Sequence, residues 1–458
     1  MHLSSILLLL FLVAAEAAVI RHPTHIEKKG KSSESEESKE SEESEEVLPT
    51  DDIPDGLDMV HVNVIWRHGD RSPTSAMVGD QVTEASWTFG GGGWGELSPI
   101  GMAQQFRLGK KLFDRYALNN TYLSETYRSN EIYVYSTDFN RTLVSAMASL
   151  AGMYSRSTAK VDRDYPDIPD WPTNFVPVPI HTELSGKDHI GDPSAKCPRQ
   201  DDLLRLVMRT NDYKEASGPE AQEVLEYLRN ATGAPASKIT FDNVYKIADN
   251  MMIEGIWFPE NVSTWYPYYT EEIREKVEDL VTKGLALQNG IIVDKIQNGV
   301  DLSQEIPTIR GGPLVNDIMA KARGVIQCRR RDSNGQVNGC KDSDKFYRNL
   351  KYHAISAHDS TIDAYLTVLG AKLNVSPGNP KYTASLLTEF FIDTRNGGTE
   401  QVFRVLYHED ENADFRVITP EVEGCDDDFC PIQVLQNIAN KLKPPGGIEQ
   451  LCLQRIPL

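Results

Sequence analysis

Arg67-His68-Gly69-Asp70-Arg71 places two guanidinium groups, an imidazole and a carboxylate within five residues, directly after the apolar run Met59–Trp66. A lone arginine after a strand is ordinarily a solvated or ion-paired surface residue. Here related chemistry recurs at two more places. Arg141 follows the segment Ser136-Thr137-Asp138, and His358-Asp359 follows Tyr352–Ala357. The planar fork of arginine binds phosphate oxygens bidentately, so Arg67, Arg71 and Arg141 suit a phosphoryl group and the charge of its transition state. A neutral imidazole is a competent nucleophile, and neighbouring guanidinium groups hold its pKa down. Asp359, as a carboxylic acid, would protonate a departing oxygen. The chemistry this set supports is phosphoryl transfer, which needs mostly positioning and charge stabilisation.

Other candidates carry less. His61 and His353 lie inside apolar runs and read as core or second-layer residues, while His181, His189 and His408 have no partner in the pattern. No HxH or HExxH spacing appears, so no metal and no cofactor is expected. Gly90–Gly93 has no strand before it and no Lys after it, so it reads as a connector rather than a phosphate-binding loop.

The elements must bring three separate segments together. MVHVNVIW, EIYVYST and KYHAISA are β-branched or aromatic, and each ends at one of the polar clusters. In an open α/β sheet, ligands bind at the carboxyl ends of strands, beside the helices that follow. Ser98-Pro99 begins a helix with Met102, Phe106, Gly109 and Phe113 on one face. Thr137 or Asp138 caps a second helix with Leu143, Met147 and Leu150 as its stripe. A Pro-rich stretch, 165–198, precedes a mostly helical block at 199–325, after which TEFFIDT and QVFRVLYHE read as strands. The expected fold is α/β, an open, mainly parallel or mixed sheet flanked by helices. Its core comprises 57–198 and 326–458, with 199–325 as an inserted smaller α-helical domain.

Around this core the chain is acidic, with 458 residues and a net charge of −20. That balance argues against a nucleic-acid partner. Residues 1–17 read as a secretory signal ending near Ala15-Glu16-Ala17, and no later run reaches the roughly 18 apolar residues of a transmembrane segment. Residues 18–56 form an acidic tail: Lys31–Glu46 alone holds eight Glu, six Ser and two Lys, and removing it leaves −14. Such a segment cannot bury enough surface to order itself. Six cysteines (197, 328, 340, 425, 430 and 452) suit three disulfides in an exported chain, with Cys425 and Cys430 able to close a local loop. Asn119, Asn230, Asn261 and Asn374 are glycosylation sequons, the last weakened by Pro377. Secretion is expected, with the lysosomal lumen as the alternative. The oligomeric state stays open, a homodimer included.

RHGDRSPT, WGELSPIGMAQQFRLGKKL, STDFNRTLVSAM and AHDSTI, in this order, resemble the histidine acid phosphatases of the animal prostatic and lysosomal type, across nearly all of 59–458. RHG alone is also found in phosphoglycerate mutases; the four segments together are specific. The resemblance implies hydrolysis of small phosphate monoesters through a phosphohistidine, without a metal. It makes His68 the nucleophile, Asp359 the proton donor, and Arg67, Arg71, Arg141 and His358 the phosphate-binding set. It also implies the pairs Cys197–Cys452 and Cys425–Cys430, which leaves Cys328 with Cys340. Two features depart from the family pattern: the acidic tail, and Asn140, which creates a sequon beside Arg141 whose glycan would crowd the pocket. Three readings compete: a broad acid phosphatase, a phytase or other narrow phosphomonoesterase, and a non-catalytic phosphate-binding member. The complete set of polar residues argues against the third.

Overall fold

The computed structural model describes residues 53–458, apart from 293, 330–339, 341, 396 and 458. The signal segment and the acidic tail through residue 52 lie outside the described residues.

The first apolar run becomes β1 (Leu57–Arg67), buried along almost its whole length. Burial on both faces is what a central strand requires, and it explains a run without polar alternation. The later strands that join it in the sheet are β2 (Ile132–Thr137), β3 (Ile180–Glu183), β4 (Tyr352–Ala357), β5 (Ser385–Asp393), β6 (Glu400–His408), β7 (Arg416–Val417) and β8 (Cys430–Pro431). They form one mixed sheet of eight strands in the order β8-β6-β5-β1-β4-β2-β3, with β7 beside β6. β1, β4, β2 and β3 run parallel, and β5 joins β1 antiparallel. Trp66 and Ser136 both register with Ser356, so the carboxyl ends of β1, β4 and β2 reach the same height.

Two apolar layers cover the sheet. On one face Val62, Val64 and Trp66 pack with α1 (Pro99–Phe113) and α2 (Asn140–Met153). The helical block contributes α3 (Pro198–Val207), α4 (Asn211–Ala216), α5 (Pro219–Thr232), α6 (Tyr245–Trp257), α7 (Pro259–Trp265), α8 (Glu271–Gln288) and α9 (Leu302–Arg310). These helices share an apolar cluster of their own, containing Leu206, Leu225, Leu228 and Val277. On the other sheet face Ile65, Ile355 and Phe390 pack with α10 (Gly312–Arg329) and α11 (Asp359–Val368). The short α12 (Lys372–Val375) follows α11, and α13 (Ile432–Lys441) and α14 (Ile448–Cys452) end the chain.

Three local expectations need correction. The buried face of α1 is Gly101, Gln105, Leu108, Gly109, Leu112 and Phe113, so Gly109 and Phe113 lie on it as expected, but Phe106 is 37% exposed. Likewise α2 buries Ser145, Ala146, Ser149 and, as expected, Leu150, while Met147 is 57% exposed. The two helices approach too closely for large side chains: a Cβ on Gly109 would stand 1.9 Å from the Ser149 carbonyl oxygen, and one on Gly152 2.0 Å from that of Phe106. Phe139, not Thr137 or Asp138, occupies the cap position of α2, and the Thr142 hydroxyl returns to the carbonyls of Thr137 and Phe139 at 2.9 Å each. The Pro-rich stretch also hides β3, an exposed edge strand with no apolar alternation to announce it.

Candidate active site

His68 is the first residue beyond β1, and its backbone N–H donates to Ala357 at 3.0 Å, tying it to the end of β4. Its ring Nδ1 lies 2.8 Å from the Gly69 carbonyl oxygen. A carbonyl only accepts, so Nδ1 carries the proton and Nε2 keeps its lone pair. Gly69 must be glycine, because a Cβ there would stand 2.4 Å from the Gly101 carbonyl oxygen at the start of α1. Burial, and then Arg141, Arg71 and Arg67, push the His68 pKa well below its ordinary value. The imidazole is therefore neutral across the physiological range.

Three guanidinium groups surround it. Arg67 donates through Nη1 to the Pro380 carbonyl, lies 4.4 Å over the Tyr382 ring, and meets Asp359 at 3.0 Å. Arg71 makes a two-pronged pair with Asp249 of α6, at 3.1 and 3.2 Å. Arg141, in the first turn of α2, stacks 4.7 Å over Phe139. The Nε atoms of all three are buried without a hydrogen-bond partner. Buried N–H groups are rarely left unsatisfied. Three of them converging beside one imidazole mark the place of an anion. Their mutual repulsion is visible as well: burial, and then Arg71 and Arg67, bring Arg141 down to about 10.

His358 follows β4, and its Nε2 lies 2.9 Å from the Thr137 hydroxyl at the end of β2. Burial and Arg141 push its pKa down to about 3. Asp359 begins α11, where its carboxylate accepts the Ser360 N–H at 2.7 Å. Burial would raise its pKa, but Arg67 and Arg71 outweigh that and hold it at about 2. A carboxyl group with the ordinary pKa would take up its proton at mildly acidic pH, and the two guanidinium groups prevent that here. Held beside Arg67 and Arg71, Asp359 is a carboxylate, and its proton has to arrive by another route.

The predicted residues Arg67, His68, Arg71, Arg141, His358 and Asp359 thus gather at three strand ends. Sequence reasoning missed Asp249, Tyr382 and Thr137. Asp249 sits in the helical block, where nothing in its local sequence marks it. Tyr382 precedes β5, beside Thr383, whose φ of 64° brings the chain sharply round. Asp70, named only within its motif, is buried, and its carboxylate accepts from Ser98 and from Trp257 Nε1.

The Gly90–Gly93 run is a turn with positive φ throughout, and its neighbour Gly95 carries the chain past Arg141. The structure joins Cys197 to Cys452, Cys328 to Cys340, and Cys425 to Cys430. Asn119, Asn230, Asn261 and Asn374 are exposed. Asn140 is exposed too, and its amide donates to Glu96 at 2.8 Å. Among the described residues no cluster of His, Cys, Asp or Glu is arranged to hold a metal ion, and no helix is long and apolar enough to cross a membrane.

Comparison with known proteins gives this geometry a family. Putative acid phosphatase 10 of Caenorhabditis elegans is 30% identical over 402 residues, covering 85% of this chain and 93% of that protein. Human prostatic acid phosphatase is 25% identical, over 84% of this chain and 86% of its own. Among solved structures, the apo form of Hafnia alvei phytase superposes with a TM-score of 0.57 at 15% identity, covering 89% of this chain and all of that one. Residues 58–408 match the family model of the histidine phosphatase superfamily (branch 2), and the chain belongs to that family.

Proposed function

We propose that this histidine phosphatase hydrolyses phosphate monoesters in two displacements at His68, with Asp359 moving the proton. The observation that carries the reading is the His68 ring. Its Nδ1 is engaged by the Gly69 carbonyl, and its neutral Nε2 is left among arginines whose Nε donors are unpaired. The arginines hold the phosphoryl oxygens, and Nε2 attacks phosphorus as the bond to the alcohol oxygen breaks. The leaving oxygen takes a proton from Asp359. Water then attacks the phosphohistidine, Asp359 takes the water's proton, and phosphate departs from neutral His68.

The proton enters with the substrate. Because Arg67 and Arg71 keep Asp359 ionised before substrate binds, the reactive ester is the monoanion, which brings one proton. Once the phosphoryl oxygens occupy Arg67 and Arg71, the carboxylate loses the charges that held its pKa down and can accept that proton. His358, fixed by Thr137, adds a ring against the phosphoryl group. The relatives named as acid phosphatases support a phosphomonoesterase, and the likeness to the bacterial phytase supports the fold. The amino-terminal leader and the three disulfides support an exported protein, secreted or lumenal. Acid quenching during turnover of a labelled monoester tests the mechanism: label recovered on His68 supports it, and label absent from histidine under steady turnover refutes it.

A further inference from the structure

We infer that Asp249 sets the substrate class of this site: phosphate monoesters with a neutral or cationic alcohol are accepted, and those carrying further phosphate groups are disfavoured. The inference rests on the phosphatase reading above and adds a specificity-determining residue to it.

Asp249 comes from α6, in the helical block, and among the described residues it is the carboxylate paired with Arg71. It engages Nη1 and Nη2, which leaves the unpartnered Nε edge of Arg71 for a phosphoryl oxygen. A guanidinium can serve two acceptors in this way, through different edges of its fork. The Asp249 carboxylate is consequently held one guanidinium away from the bound phosphate, and at 18% exposure it also faces solvent.

The charges around the pocket nearly balance. Of the three guanidinium groups, Arg67 is paired with Asp359 at 3.0 Å and Arg71 with Asp249 at 3.1 Å. Among these directly placed groups three cations meet two carboxylates, a surplus of one positive charge, and Asp192 adds a further negative field on Arg141. Asp70 adds another carboxyl nearby, although burial opposes its ionisation. One phosphoryl group consumes that surplus. A second phosphate on the same alcohol would approach Asp249 with no excess cation to receive it, and like charges in a partly buried site repel enough to cost about tenfold or more in binding.

A cationic alcohol meets the opposite situation. Asp249 attracts it, and Tyr245, one turn earlier on α6 and exposed, offers a ring face to an ammonium group. After burial, Asp249 and Asp359 both push the Tyr245 hydroxyl's pKa up, so it shares their electrostatic surroundings.

The test measures kcat/KM for glycerol 2-phosphate, phosphoethanolamine and inositol hexakisphosphate with the full chain, Asp249→Asn and Asp249→Glu. The parent should handle hexakisphosphate at least about tenfold less well than glycerol 2-phosphate. Asp249→Asn should close most of that gap and lower the preference for phosphoethanolamine, while Asp249→Glu keeps the parental order. A parent equally active on hexakisphosphate and glycerol 2-phosphate overturns the inference. So does an Asn variant that loses activity on all three in proportion, since Asp249 would then only hold Arg71 in place. A parent active only on the hexakisphosphate also overturns the inference but leaves the phosphatase reading standing; a parent that leaves all three esters intact refutes the phosphatase reading, and this inference with it.

Discussion

β1 and β4 carry two pairs of histidines. His61 and His353 lie within the strands, and His68 and His358 stand one residue beyond their ends. All four are buried, and burial is the first cause of every lowered pKa among them. Within the strands Asn63 Nδ2 donates to His353 Nδ1 at 2.7 Å, and His61 stacks on Phe390 at 6.0 Å between rings. Beyond the strand ends, the rings face arginines with unpaired Nε donors and an aspartate that is 27% exposed. A neutral imidazole is therefore common to both pairs and identifies neither as a nucleophile. The converging unsatisfied donors and the path to solvent make the difference.

The largest effect should come from His68→Ala. Loss of a covalent nucleophile removes turnover by at least about 10⁴-fold, while circular dichroism should show a folded protein. The matching change within the strand, His61→Leu, should leave kcat/KM at the parental level. Should both variants lose activity together, the distinction between the pairs collapses.

Asp359→Asn comes next. General acid catalysis contributes roughly 10²–10⁴-fold, and an alkoxide needs the proton far more than a nitrophenolate does. The variant should therefore slow glycerol 2-phosphate by that factor and nitrophenyl phosphate markedly less. Equal losses on both would make Asp359 only a partner for Arg67. A pH profile sharpens the point. Asp359 titrates near 2 in the free enzyme, so it is already ionised across the working range. The alkaline fall of kcat/KM for an alkyl phosphate should instead track the second phosphate ionisation, at roughly pH 6. A fall centred near pH 2 would mean that Asp359 supplies the proton without help from the substrate.

What the sequence revealed follows the same division. Strand ends were legible because β1, β2 and β4 are apolar runs that stop at charged clusters, and a sheet brings such ends together. Contacts made across long separations left no local trace: Asp249 reaches Arg71 from the helical block, and Pro380 reaches Arg67 from the loop before β5. The faces of α1 and α2 were misjudged because large apolar residues drew the stripe, whereas close helix contact selects Gly, Ser and Ala. The ionisation of Asp359 was also hidden, since it depends on two guanidinium groups that only the fold places nearby.

The smallest effect concerns the cost of the sealed pair. Among the described residues neither ring nitrogen of His61 completes a hydrogen bond, although the Lys351 backbone acts to raise its pKa. Burial, then Arg329 and Lys321, push its pKa down to about 3 from an ordinary 6.5. In the unfolded chain the same ring takes up a proton near 6.5. Between pH 6.5 and 3, the unfolded state therefore binds a proton that the folded state refuses, and stability falls as pH falls, by up to about 1.4 kcal/mol per pH unit. Leucine fills a similar volume and has no proton to bind. His61→Leu should thus show a shallower loss of Tm between pH 6.5 and 4 than the parent, with the two curves converging above 6.5 apart from a constant packing offset. An identical pH slope in the two proteins would mean that His61 finds a partner and charges without penalty, and the contrast between the sealed and the open pair would then rest on geometry alone.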